Sequence, residues 1–259
     1  MLSLPEKIFF IIAIIITGYY SFHAIRSLIQ KLNIGQGNPD WRVIPKKLWR
    51  TIGKTLSLQT VWRLRPITSF FHALIVWGFA FYLAVNIGDV MMAFIPNFVV
   101  LGNSAAGNIY RLIADLLSVG VIVGMLALLV RRFLLKPANI ETRKSILLHE
   151  KAHNGIKRDS FIVGVFILAH VGFRFLGESF SLALLKESDP WQPFASSFSM
   201  LWSGFSVTFL TVMVHFSFWI AIGLILLFIP YFPYSKHIHL FFAPLNFLLK
   251  PKRRSIGEL

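Results

Sequence analysis

The sequence predicts an all-α integral membrane protein, a bundle of five transmembrane helices with the N-terminus outside and the C-terminus in the cytoplasm. Three observations carry this. The chain is 56% hydrophobic, with a mean hydropathy of +0.67 and only 14% charged residues. Five apolar stretches, at about 8–30, 68–96, 107–132, 160–183 and 198–232, reach the roughly 20 residues that cross a hydrocarbon core of about 30 Å. Only helices or closed barrels satisfy the backbone in lipid, and the alternation of a barrel strand is absent. Finally, the basic residues gather in alternate connections, which fixes the direction of each span. All 259 residues read as one membrane domain without internal repeats.

The first stretch holds the run 9–16, preceded by Glu6 and Lys7 and followed by no small-residue cleavage site. It reads as part of a retained helix and not as a signal peptide. Residues 31–66 follow, with eight Lys/Arg against one Asp. Trp41, Trp49 and Trp62 in this connection have the character of interfacial anchors on surface-lying segments. The connection 131–159 carries eight Lys/Arg against three acids, and the tail from Ser235 has five basic residues and one Glu. The connections 95–108 and 181–200 hold one basic residue between them, Lys186. The rich connections therefore face the cytoplasm, and the helix count is odd.

The net charge of +15 is explained by this topology and does not imply nucleic acid. It also suits anionic lipid headgroups or an acidic docking partner. There is no cysteine, which excludes disulfides, thiolate zinc and cysteine-ligated iron–sulfur clusters within these residues.

Eight histidines remain. An imidazole in lipid is costly without a partner, so an intramembrane His is read as functional by default. His72 opens the second stretch near its cytoplasmic end, and His239 follows the fifth on the same side. Two neutral imidazoles at similar depth can ligate one haem iron from both faces. A straight helix from His215 to His239 would span about 36 Å, more than the hydrocarbon thickness. Pro230 and Pro233 supply the break that lets His239 turn back. Two readings of His239 stand side by side: haem ligand, or interfacial histidine at the headgroups.

His170 and His215 lie deeper, within about two turns of each other. They are either ligands of a second haem or histidines hydrogen-bonded to a neighbouring helix. His237 is an alternate ligand or a contact for a haem carboxylate, a role also open to Lys236 and Arg65. His23 reads as packed or headgroup-facing. His149 and His153 form an i,i+4 metal pair or are simply solvated.

Asp89, Arg111, Asp115, Arg174 and Glu178 fall inside apolar stretches, near the outer ends of their helices. Arg111 with Asp115, and Arg174 with Glu178, are four apart and share a helix face. Such groups pair across the bundle or line a path for protons or substrate. A quinone site, which needs donors for two carbonyl oxygens and a carboxylate route for protons, is one use of this set. Interhelical salt bridging alone is the other.

The stretch IPYFPYSKHIHLFFAPLNFLLKP, at 229–251, resembles the closing motif of cytochrome b subunits related to the respiratory nitrate reductase gamma subunit. FHALIVWGF, at 71–79, resembles the second-helix motif of the same family. The nearer relatives by this likeness are membrane subunits of heterodisulfide-reductase-like and sulfite-reductase-linked complexes. The likeness extends over nearly all of the chain. It implies haem b held by His72 and by His239, the latter through Ser235-Lys236-His237-Ile238-His239. It also implies a quinone as substrate and an iron–sulfur partner on the cytoplasmic side. The family's outer-haem positions carry Tyr82 and Ala221 here, so an outer haem is missing or moves to His170 and His215. Fused relatives continue into cysteine-rich cluster domains; here these would lie on another subunit or on chain removed from this one.

The expected function is a membrane subunit of the cell inner (plasma) membrane carrying electrons between the quinone pool and that partner, with one haem or two. The rivals are a non-haem anchor that recruits a soluble reductase, and a proton or solute transporter using Arg174, Glu178, Asp115 and Asp89. A transporter's inverted repeats and broken mid-membrane helices are not found in the sequence.

Overall fold

The computed structural model describes residues 1–35, 42, 44–62, 65–137, 146–147 and 149–249, without the side chains of Gln59, Thr60 and His153. The elements in order are α1 (Leu4–Leu32), α2 (Ile44–Leu56), α3 (Gln59–Trp62), α4 (Pro66–Phe94) and α5 (Ala105–Leu129). They continue with α6 (Glu150–Leu185), α7 (Pro193–Ser199), α8 (Val207–Tyr231) and α9 (His239–Leu249). No strand occurs among the described residues. Five helices are long and apolar enough to cross a membrane: α1, α4, α5 with its extension, α6, and α8 with its extension. The chain is a multi-pass membrane protein.

The helix starts follow local chemistry. Ser104 caps α5 by accepting from the Gly107 amide, and Ser206 caps α8 by accepting from Phe209. Pro66 stands at the first position of α4, where its missing donor costs nothing. Two boundaries differ from the apolar stretches. α6 begins at Glu150, ten residues before the stretch at 160, because the polar residues 150–159 continue the helix out of the lipid. At about 54 Å it is much longer than the hydrocarbon core. The fifth span begins at Val207 and not near 198: residues 200–202 form a 3-10 turn after α7, and the Ser206 cap restarts the helix.

The spans pack in the order α4–α5–α6–α8–α1. The first turn of α1 also reaches the end of α4, where the Leu2 amide donates to Ala93 O (3.0 Å) and Lys7 Nζ to Phe94 O (3.0 Å). Ile8, Phe9, Ile11 and Ile15 of α1 are exposed, as a lipid-facing surface requires. The contacts between spans use small residues, since lipid offers no hydrophobic drive and close backbone approach must supply the packing. A Cβ added at Gly124 of α5 would lie 2.7 Å from Phe71 O of α4, and one at Gly78 would lie 2.1 Å from a Val121 methyl.

The basic end of the bundle is covered by the amphipathic α2 lying against α9. Trp49 on α2 is exposed and Trp62 on α3 half-buried, while Trp41 lies outside the described residues. α8 continues through Pro230 to Tyr231. It runs through 3-10 turns at Phe232–Tyr234 and Lys236–Ile238, separated by the extended Ser235 (φ −90°, ψ 161°). Ser235 Oγ accepts from the His237 amide and starts the second turn. The reversal expected from two prolines is thus made by Pro233 and Ser235, and it delivers His239 to the first residue of α9.

Candidate functional site

Two groups of side chains stand at opposite ends of the bundle. At the basic end, the His72 ring of α4 and the His239 ring have centroids 6.5 Å apart, with planes inclined by 36°. The His239 Nδ1–H donates to Lys236 O (2.6 Å). This leaves the Nε2 lone pair for a ligand, the tautomer that metal-ligating histidines adopt. His72 Nδ1 is buried without a partner. With metal–nitrogen bonds of about 2 Å and rings of about 1.15 Å radius, imidazoles on opposite sides of one metal ion have centroids about 6.3 Å apart. The observed separation matches.

His237 lies beside this pair, its ring 6.0 Å from His239 and 5.6 Å from Phe228. It is buried, and its Nδ1 has no partner. Burial, then His239 and Lys236, hold its pKa down at about 4, so it is neutral at ordinary pH. Among the described residues no three His or acidic side chains converge on one point suited to a metal ion. Two imidazoles at this spacing without a third protein ligand would suit a macrocycle that brings its own equatorial nitrogens, as haem does, better than a bare cation. Arg65 precedes α4 and is exposed; its carbonyl accepts the Ser69 hydroxyl (2.6 Å).

At the other end, a cavity of about 240 Å³ lies between α4, α6 and α8. Its polar side chains are those of Asp89, Arg174, Glu178, Ser181 and His215, and Met1 and Leu2 close one side. Arg174 Nε and Nη2 donate to the two Asp89 oxygens (3.1 and 3.3 Å), an ion pair buried on both sides. Glu178 accepts from Gln192 Nε2 (2.8 Å). The His215 Nδ1–H donates to Glu6 Oε1 (2.8 Å), and Trp219 Nε1–H donates to the same oxygen (3.1 Å). The other Glu6 oxygen takes the Ser3 amide and hydroxyl (2.8 and 2.7 Å). Glu6 is the member of this cluster to which the sequence does not point. Its capping-box position, Ser3-x-x-Glu6, was visible; its partner 209 residues away was not.

The remaining expected residues have other partners. Arg111 pairs with Asp189 (2.7 Å) and not with Asp115. Asp115 accepts the Phe194 and Ala195 amides (2.8 and 3.1 Å) and so anchors α7. Neither lines the cavity. His170 and His215 are not brought together: the His170 Nδ1–H donates to Ala221 O (2.9 Å), its ring meets the edge of Tyr82 (5.6 Å), and its Nε2 is buried without a partner. Tyr82, His170 and Ala221 thus meet at mid-membrane, with Tyr82 Oη bound to Ser118 (2.6 Å). His149 caps α6 by accepting the Lys151 amide (3.2 Å). The side chain of its expected partner His153 lies outside those described. His23 is exposed and packs on Tyr19 (4.6 Å). Comparison with protein-family models, with curated proteins and with solved structures finds no match to this chain.

Proposed function

We propose that this protein is a haem b-binding membrane subunit of the cell inner membrane, with its N-terminus outside and its basic end in the cytoplasm. In this reading it carries electrons between the quinone pool and a cytoplasmic iron–sulfur partner, as the likeness to the nitrate-reductase-gamma type of cytochrome b implies. The observation that carries the proposal is the 6.5 Å separation of His72 and His239 at the basic end. Haem b held there would pass one electron at a time. The chain's own share is to orient and bury: Lys236 O fixes the His239 ring, and Ser235 and Pro233 set the turn that presents it. A thiolate-held cluster would belong to a partner, because this chain has no cysteine.

The cavity is the quinol site of this reading. Its volume of about 240 Å³ is near the lower end of ligand sites, about 300–1,000 Å³. The Arg174 guanidinium suits a quinone carbonyl oxygen. His215, oriented by Glu6, is placed to take a hydroxyl proton on Nε2 and return it towards the N-terminal end, where Glu6 is partly exposed. Asp89 and His72 are 17 residues apart on one helix, about 25 Å. Tunnelling falls steeply with distance, so this arrangement requires a second redox group between the two sites. In this reading the second group would sit near His170, whose Nε2 is buried without a partner among the described residues.

The test is a reduced-minus-oxidised visible spectrum with haem quantitation, repeated on His72→Ala and His239→Ala. The proposal expects haem in the native chain and loss of one haem in each variant. A second reading, proton or solute transport, draws on the same cavity, the Asp89–Arg174 ion pair and the His215–Glu6 hydrogen bond. It is the one to adopt if purified protein holds no haem.

A further inference from the structure

Arg132 lies in the π-helical turn Val130–Leu135 that ends α5, a geometry found often at functional sites. Its Nη2–H points to Ile156 O of α6 at 3.5 Å. The same carbonyl accepts the Ser160 hydroxyl (2.7 Å), and Ser160 Oγ accepts Lys236 Nζ (3.0 Å). One carbonyl and one hydroxyl of α6 therefore gather a guanidinium and an ammonium from two other elements. The neighbouring acid, Asp159, is already engaged by the Tyr231 hydroxyl (2.5 Å) and the Lys236 amide (3.1 Å). Among the described residues Arg132 Nε is buried with no partner, and a buried donor left open calls for a ligand.

Beside these cations an open groove of about 610 Å³ runs between α6 and the end of α8. Its walls include Ile156, Ile162, Arg158, Tyr231 and Tyr234. Tyrosines belong at the headgroup level of a bilayer, and basic pockets between helices at that level take lipid head groups. We propose that Lys236 and Arg158, which line this groove together with Asp159, bind the phosphate of an anionic membrane lipid whose chains lie on the apolar wall, with Arg132 and Ser160 behind Lys236. The site shares Lys236 with the turn that presents His239, so haem content is followed beside lipid binding.

The test compares the native chain with Lys236→Gln, Arg132→Gln and their double variant, and with Lys151→Gln as a control at the same end. Each is purified in neutral detergent, titrated with phosphatidylglycerol, phosphatidylcholine or inorganic phosphate, and followed by native mass spectrometry and haem content. The native chain and the control should retain one phosphatidylglycerol and discriminate against phosphatidylcholine. The double variant should bind phosphatidylglycerol about thirty-fold more weakly. If it does not fold, Lys236→Gln alone should lose about five-fold. Equal retention by native and variant chains would overturn the proposal. So would saturation by inorganic phosphate without lipid, or loss of haem from the variants with lipid binding unchanged, which would give these cations to the haem carboxylates.

Discussion

His72 and His239 carry the redox reading, and each contributes differently. His239 is held by one carbonyl, Lys236 O, so that exchange to alanine removes a ligand and disturbs little packing. His72 sits in the wall of α4, where alanine leaves a small gap. Both variants should insert normally and lose the same haem, measured by pyridine haemochrome against protein content. Glu6→Gln and His215→Gln act at the other end. Quinol-dependent reduction should fall about 10²-fold or more through kcat, as for loss of a general base, with haem content unchanged. Stopped-flow reduction by a quinol analogue checks this. Arg174 is a question of stability. Exchange to Gln leaves Asp89 buried without its cation, a change that costs about 3–5 kcal/mol and should appear as a lower thermal midpoint in detergent.

The elements show where a sequence speaks and where it falls silent. Hydropathy located all five spans, because a stretch near 20 apolar residues has few other uses. It misplaced the start of α8, since Phe198, Met200, Leu201 and Trp202 are as apolar as a span yet fold as the end of α7 and a 3-10 turn. The i,i+4 pairs Arg111/Asp115 and Arg174/Glu178 share helix faces as expected, but their charges are met by Asp189, by α7 and by Asp89. Which helix faces which is set by packing that one sequence does not display. The α4–α5 contact is the clearest case: Gly124 touches the carbonyl of Phe71, the residue before His72. Gly124→Ala must push the two helices apart, for about 1–3 kcal/mol of stability. It should also loosen haem binding through His72, read as a higher rate of haem loss to apomyoglobin.

At the scale of the whole molecule, charge and polarity are divided between the two ends. Arg132, Lys236 and the amphipathic α2 crowd one end, while Asp89, Arg174, Glu178 and the Glu6–His215 pair occupy the other half. The basic end should face the cytoplasm. Because the chain is naturally free of cysteine, single cysteines at Leu147 and Met200, both exposed, report this directly. Met200 should react with an impermeant maleimide in intact cells, and Leu147 only after the membrane is opened.

The central claim is that two opposed imidazoles, His72 and His239, hold haem at one end of a five-span bundle. The most direct measurement is the reduced-minus-oxidised spectrum of the purified native chain with haem counted per polypeptide. The account predicts b-type bands and at least one haem per chain, lost on His72→Ala or His239→Ala. One haem alone would keep the His72–His239 assignment and move the quinol site to the basic end. A chain without haem, or with haem indifferent to both substitutions, would contradict the account.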